Sequence, residues 1–494
     1  MPKRTPIFYN ALLLTGVNLL LRFVSTSFQV YISGRIGAAG VGLLQLVLSV
    51  GAMAMTLGMA GIRTAAMYLS AEELGRKREQ NVTWILSGCF LYSILCSGTV
   101  SLALYFGAPF LATHWIGDIR TISAIRTYSA FLPVNCLCGV MTGYFTAANR
   151  IRTLAAVEVA EQAFSMGITM SLLLFWADSD PARACQCIIL GSGISMCLTL
   201  LCLVALRAKQ KPPVGKPFPV RQKLLSTAVP LALADDLKAG ISTAENLMVP
   251  KRLALFSGIA DPLAAFGLVC GMVFPVLMFP AAILYALSEL LIPEFARCNA
   301  AGSKERIQYL AKQSLRVAML YGCLFAGLEF LLSEALCIQL YKSAEAAVHL
   351  RQYAFLIPML YCDAITDAMI KGLGQQKISV RYNILTSAMD VLFLFLLLPH
   401  YGMQGFFFSF LITHLINFGL SLRRLLKIVG NIISPTGPIL TVCSTLFAVA
   451  LAGTLSAPTL RCCAFAVILF CLLFLLKILK KEDILWVTGL IAKK

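Results

Sequence analysis

The sequence predicts an all-α, polytopic membrane protein of about fourteen transmembrane helices, in two six-helix halves with two helices appended. Three observations predict it. The chain has 494 residues, of which 59% are hydrophobic and only 13% charged, with a mean hydropathy of +0.82, outside the range of soluble domains. Apolar runs recur at the roughly 20-residue length needed to cross about 30 Å of hydrocarbon. The 41 Lys and Arg residues collect in the short loops between those runs, with a roughly threefold bias toward one side when both termini are placed inside.

Read against the length requirement, the spans fall at 8–32, 38–66, 82–112, 123–147, 152–177, 182–206, 223–247, 262–292, 308–336, 349–373, 378–400, 402–424, 433–456 and 460–479. A Pro-rich basic stretch, RAKQKPPVGKPFPVRQ at 207–222, separates spans 1–6 from 7–12. The expected organisation is therefore an N-lobe at 1–206, a cytoplasmic linker at 207–222, a C-lobe at 223–426, and spans 13 and 14 with a tail at 427–494. Short basic turns after span 4 (146–158) and after span 10 (371–383) echo each other at equivalent positions of the halves. The end, 480–494, mixes Lys residues with Ile484, Leu485, Trp486 and Leu490, as a helix lying along the inner interface would.

Several function classes are excluded by the same reading. A formal charge of +18 spread over loops sets topology and forms no nucleic-acid patch. The 17 cysteines lie almost all in apolar runs, and Cys136/Cys138 and Cys185/Cys187 are spaced for different sides of a helix, so neither disulfides nor a metal site is expected. Lys3 and Arg4 precede an apolar run too long for a signal peptide, which stays as the first helix. No loop is large enough to fold alone. His114, His349, His400 and His414 are scattered, with no nucleophile pair, phosphate-binding glycine loop or HExxH. The chain therefore reads as something other than an enzyme, without a cofactor.

The informative residues are polar groups inside apolar spans, where an ionisable side chain costs about 3 kcal/mol on insertion scales and so faces protein or water. In span 1, Asn18, Arg22, Ser25 and Gln29 follow i, i+4, i+7, i+11 and share one face. Arg22, near the middle, offers a fork of donors suited to phosphate oxygens, or else a partner for a neighbouring carboxylate. Arg63 ends span 2. Span 5 carries Glu158, Glu161, Gln162 and Ser165 on one stripe, either to bind a coupling ion or to pair with Arg22 and Arg63. Span 7 repeats the theme with Asp235, Asp236, Lys238, Ser242 and Glu245. Pro275 and Pro280 in span 8 remove backbone hydrogen bonds and permit a kink or hinge. Asp363, Asp367 and Asp390 in spans 10 and 11 either line the second lobe or sit near the ends of their helices.

At these residues the chain resembles the stage V sporulation protein B group of the multidrug/oligosaccharidyl-lipid/polysaccharide exporter superfamily. The resemblance runs through RFVSTSFQVYISGRIGAAGVGLLQL (22–46), LGMAGIRTAAMYLSAEELGRK (57–77), TGYFTAANR (142–150), AEQ (160–162), ENLMVPKRL (245–253), ALSELLIPEFA (286–296) and KGLGQQ (371–376), in the family's order over roughly residues 10–425. It implies two lobes in a V and export of a polyprenyl-diphosphate-linked saccharide, with a peptidoglycan precursor for spore cortex or cell wall as one candidate. Arg22 takes the place of the family's helix 1 arginine, and Glu161/Gln162 that of its Glu-Gln pair. The chain departs from the pattern at Ser165, and at Phe28 and Pro275 where related lipid II flippases carry arginines.

The expectation that follows is alternating access, as a multi-pass protein of the bacterial inner membrane with both termini cytoplasmic. Arg22, with Arg63 or Lys238, would neutralise the diphosphate, and Asn18 and Gln29 would bond sugar or phosphate oxygens. Glu158, Glu161, Gln162, Asp235 and Glu245 would balance charge or bind a driving cation, Na+ or H+, unless the membrane potential drives the cycle. Expected partners are the lipid-linked saccharide, membrane lipids and a candidate cell-wall synthase, with no nucleic acid. The alternatives are a multidrug or organic-cation antiporter on the same fold, and a membrane-embedded saccharide polymerase or ligase.

Overall fold

The computed structural model describes residues 5–76, 78–176, 180–209, 221–430 and 436–479, and every regular element among them is a helix. The linker stretch 210–220 and the C-terminal tail 480–494 lie outside the described residues. In chain order the first helices are α1 (Thr5–Met59), α2 (Ile62–Gly75), α3 (Glu79–Phe110), α4 (Ile122–Ala147), α5 (Ile151–Phe175), α6 (Pro181–Ala208) and α7 (Arg221–Leu253). They are followed by α8 (Pro262–Leu268), a π-helical turn at Val269–Val273, α9 (Phe274–Leu277), α10 (Ala281–Ala300), α11 (Lys304–Tyr341) and α12 (Ala344–Ala354). The chain continues through α13 (Ile357–Gly372), α14 (Gln376–Val429), α15 (Thr436–Ala452) and α16 (Pro458–Leu475).

Local chemistry sets many of the boundaries. Two of the longest helices each fold over at a glycine: α1 at Gly37 (φ 69°, ψ 177°) and α14 at Gly402 (φ 56°, ψ −135°). Only a residue without Cβ takes such angles at little cost, and Pro399 removes a helical hydrogen bond just ahead of Gly402. These glycines divide the segments that the sequence marks as spans 1 and 2, and as spans 11 and 12. Asp180 starts α6 by accepting from the Ala182 N–H at 3.1 Å, with Pro181 in the first turn. Ser343 does the same for α12 by accepting from the Ala346 N–H at 3.1 Å.

Among the described residues, seven helical stretches are long and apolar enough to cross a membrane, and two bent pairs pass the same test together. The protein is thus a multi-pass membrane protein. Large apolar side chains face outward along these stretches, as Leu91, Leu95 and Phe106 do on α3 and Leu446 and Phe447 on α15, the arrangement a hydrocarbon solvent favours. Many hydroxyls bond back to a carbonyl one turn earlier, among them Ser27 to Phe23 (2.9 Å), Ser171 to Gly167 (2.8 Å) and Thr445 to Thr441 (2.9 Å), satisfying polar groups without water. The 38 residues of α11 would span about 57 Å, and its Lys304–Arg306 start is charged, so the helix continues beyond its apolar run of 308–336.

The backbone contacts divide the chain into two units, the first comprising Met1–Ala254 with Ile259–Gly267 and the second Leu255–Gly258 with Leu268–Lys494. In the first unit α7 packs on α1, α2 and α3, whereas the sequence places this helix at the opening of a second lobe. The physical reason is visible at two points. Lys223 at the start of α7 pairs with Glu72 (2.6 Å), which also holds Arg76 (2.8 Å), and further along α7 Thr243 Oγ1 donates to the Ser49 carbonyl of α1 (3.1 Å). Glu73, only 1% exposed, accepts from Asn81 Nδ2 at 2.8 Å and ties in the start of α3. In the second unit α15 and α16 pack on α11, with the Phe465 ring laid over Gly327.

Candidate substrate and coupling sites

On α1, Arg22 and Gln29 are half-buried and Ser25 is exposed; both Arg22 and Gln29 make interactions within the protein. The Asn18 side chain lies outside the described residues. Beyond Gln29, whose carbonyl accepts from Ser33 Oγ at 2.8 Å, Phe28 stacks on Tyr31 at 6.2 Å and Arg35 lies 5.7 Å over the Tyr31 ring. The position that an arginine occupies in related lipid II flippases is thus part of an aromatic stack here.

The α5 stripe is half-buried at Glu158, Glu161, Gln162 and Ser165. Arg63, exposed in the first turn of α2, acts electrostatically on Glu158, which in turn acts on Glu161. The structure therefore puts Arg63 within electrostatic reach of Glu158, and Glu158 within reach of Glu161. The backbone of the stripe is fixed by α6, where Ser195 Oγ donates to the Glu161 carbonyl at 2.8 Å.

On α7, Asp235, Lys238 and Ser242 are exposed, and Asp236 and Glu245 are half-buried. Asp236 sits within electrostatic reach of Tyr92 on α3, and its Oδ1 has no hydrogen-bond partner. Sequence reasoning missed the polar seam beside these residues: Asn246 Nδ2 donates to Ser49 Oγ at 3.1 Å, one residue from Glu245. The signal was the spacing of Thr243 and Asn246, i, i+3 neighbours on one helix whose side chains both meet Ser49.

Pro275 and Pro280 bracket the α9–α10 junction, where segments Pro262–Leu277 and Ala281–Ala300 meet at 64°. Pro275 lies in the first turn of α9 after the π-helical turn, and Pro280 precedes α10. The Pro280 carbonyl at the bend accepts from the Ile283 N–H at 3.3 Å and from Tyr321 Oη on α11 at 2.8 Å. A bend is present where the two prolines stand.

The second unit holds carboxyls to which the sequence gave no role. Asp390, in the arm of α14 before Gly402, accepts at Oδ1 from Ser409 Oγ (2.5 Å) and Thr413 Oγ1 (3.2 Å), both on the far side of the Gly402 fold. Asp363 on α13 accepts from Asn417 Nδ2 at 3.1 Å, while its Oδ1 has no partner. Asp367 pairs with Lys371 at 2.5 Å and accepts from Ser379 Oγ. Glu329 on α11 is 5% exposed and neither carboxyl oxygen has a hydrogen-bond partner. Each stands within an apolar run, and the rule applied to Arg22, that an ionisable group inside a span is a functional candidate, applies to them equally. Among the described residues no group of three or more His, Cys, Asp or Glu side chains could hold a metal ion.

Comparison with known proteins bears on the fold. The chain is similar to stage V sporulation protein B of Bacillus subtilis (strain 168), 23% identical over 422 residues, which is 82% of this chain and 80% of that protein. Its structure superposes on the lipid II flippase MurJ in an inward closed conformation with a TM-score of 0.71 at 11% identity, covering 94% of this chain and 98% of that one. It also superposes on a multidrug resistance MATE family transporter of the MOP superfamily, inward-facing, with a TM-score of 0.67 at 14% identity, covering 85% and 98%. No family model matches the chain. The family resemblance seen in the motifs is borne out, and so is the all-α membrane fold.

Proposed function

Starting from a chain that resembles stage V sporulation protein B and carries the fold of the multidrug/oligosaccharidyl-lipid/polysaccharide exporters, we propose that it flips a polyprenyl-diphosphate-linked saccharide across a bacterial inner membrane by alternating access. The observation that carries this reading is Arg22: a permanently charged guanidinium in a long apolar helix, half-buried and on one face with Gln29. A fork of five donors suits a phosphate oxygen far better than it suits an organic cation.

In this reading the saccharide head follows the diphosphate into the protein while the lipid tail stays in the bilayer. Arg22 meets the diphosphate, and Asn18 and Gln29 bond oxygen atoms of phosphate or sugar. Arg63 and Lys238 raise the local positive potential, and Glu158, Glu161, Gln162, Asp235 and Glu245 balance that charge or take a driving Na+ or H+. Pro275 and Pro280 act as the hinge about which the second unit's helices move. Both termini face the cytoplasm, following the distribution of Lys and Arg, and a cell-wall synthase receives the exported precursor.

The decisive variant is Arg22→Ala. It is expected to lower flipping of a diphosphate-linked saccharide at least about tenfold, the loss of one charge-assisted bidentate contact, while yield and monodispersity stay those of the wild type. Retained transport in Arg22→Ala refutes the assignment.

A further inference from the structure

We infer that Glu329 is a proton-binding site of the second unit, with Arg351 as the counter-ion that receives its carboxylate when the proton leaves. This goes beyond the proposed function by naming a coupling ion and the residue that carries it, and it rests on that reading only for the use made of the proton.

Glu329 lies within the span Lys304–Tyr341, is 5% exposed, and has two buried carboxyl oxygens without a hydrogen-bond partner. Charge left unpaired in such a place costs far more than the neutral acid does. Residues on the same face of α11, one or two turns away, include Gly322, Ala326 and Ser333, so this face of the helix supplies one hydroxyl and no second carboxylate. A sodium ion needs several oxygen ligands, as hard cations do. A proton needs one, and it removes the charge altogether.

The location gives the proton a consequence. Three contacts fix the register of α11 against the bent pair α12–α13, whose halves meet at 55°. Gly322 lies against Pro358, Phe330 packs on Phe355 with ring centroids 5.2 Å apart, and Ser333 Oγ accepts from Arg351 Nε at 2.7 Å. Glu329 therefore stands level with the break in α12–α13, one turn from the hydroxyl that holds Arg351. Arg351 also pairs with Glu334 at 3.1 Å and keeps 42% of its side chain exposed, so it is anchored at a partly open position. On losing its proton to water at the Tyr341 end of α11, Glu329 becomes a carboxylate one turn from this guanidinium. Transfer of Arg351 from Glu334 and Ser333 to Glu329 then draws α12 along α11 and changes the bend.

The other titratable groups around α11 are committed elsewhere or carry no charge that could serve. Glu329 acts electrostatically on Tyr321 and Cys337 of α11 itself, and Tyr321 donates to the Pro280 carbonyl. On α10, Glu294 holds Arg306 and Arg297. On α13, Asp363 bonds Asn417; on α12, His349 is half-buried two residues from Arg351 and within electrostatic reach of Glu345; on α16, Arg461 Nε donates to the Leu455 carbonyl at 2.5 Å.

The test is infrared difference spectroscopy of the full chain in lipid nanodiscs through a pH step, with no substrate present. The wild type is expected to show a protonated-carboxyl band that is lost as the pH rises. Glu329→Gln, which keeps the shape and so the fold, should lack that band, and Asp363→Asn should retain it. Arg351→Gln should move the loss upward by about one pH unit, because the cation no longer favours the carboxylate. An unchanged band in Glu329→Gln, or a band whose pH dependence ignores Arg351→Gln, overturns the inference. Because the band is read without saccharide, this outcome is independent of whether the flippase reading holds.

Discussion

In the first unit, half-buried Glu158 lies within electrostatic reach of the Arg63 guanidinium, Glu161 within reach of Glu158, and Arg22 shares a face of α1 with Gln29. The second unit's Asp390 and Asp363 are instead met by hydroxyl and amide donors, and Glu329 by no donor. Carboxyl groups are thus met by a neighbouring cation at Glu158, and by neutral donors or none at Asp390, Asp363 and Glu329. The first arrangement places a cation beside a carboxyl group; the second holds an acid whose protonation or ion binding must change when its surroundings do.

The contrast depends on the first unit keeping a rigid framework around its half-open charges, and glycine contacts supply it. Gly267 lies where a Cβ would run into the Ala38 carbonyl and the Gly42 backbone, and Gly42 lies equally close to the Leu263 carbonyl. We expect Gly267→Val to abolish folded protein and Gly267→Ala to cost about 1–3 kcal/mol, read as a drop in Tm. Gly240→Ala, with nothing within 4 Å of the new Cβ, should leave Tm unchanged or raise it slightly. Equal behaviour of the two alanine variants would remove the framework from the comparison.

Asp390→Ala in the second unit takes the acceptor from Ser409 and Thr413. The expected loss is about 1–3 kcal/mol, reduced because Thr413 Oγ1 also bonds the Ser409 carbonyl at 2.8 Å; Asp390→Asn, which keeps an acceptor, should lose less. An alanine variant as stable as the wild type would show that neutral partners do not hold this carboxyl in place.

A smaller effect is expected from the first unit's pair. The double-mutant cycle of Arg63→Gln and Glu158→Gln should give a coupling of about 0.2–1 kcal/mol, because Arg63 is exposed and the attraction is screened. A coupling near zero would assign Glu158 to an ion or substrate and not to Arg63.

How far the sequence could take these conclusions differs between the two units. Helices were legible throughout, since apolar runs of membrane length leave little other choice. Arg22 and the α5 stripe were legible because each groups several polar residues at helical spacing. Asp390 gave no such pattern: its partners Ser409 and Thr413 lie past a glycine fold in the same helix, and no periodicity spans a reversal. Glu329 was invisible for a related reason, being a single acid among apolar residues with no stripe around it. The grouping of α7 with the first unit was hidden as well, because it rests on Lys223 and Thr243 meeting residues more than 140 positions away.

The smallest effect concerns pH and lies outside the spans. Arg120 bonds Asp118 through Nη2 at 2.7 Å and Nε at 3.1 Å, and this hydrogen bonding holds the Asp118 carboxyl below its ordinary range. The lowered folded value means the pair stabilises above about pH 4 and that the contribution is lost as the pH falls through the folded value. Arg120→Gln should therefore lower Tm slightly at pH 7, with the gap to wild type closing under acid. A constant gap from pH 7 to pH 3 would mean that Arg120 acts by packing alone.

The account stands most directly on what crosses the membrane. In sealed vesicles carrying the full chain, the opposite-leaflet accessibility of a diphosphate-linked saccharide lipid should be compared with that of a neutral glycolipid bearing the same sugar, and with uptake of an organic cation. The account predicts that only the diphosphate-linked lipid is moved. Equal movement of the neutral glycolipid, or transport of the organic cation alone, would contradict it.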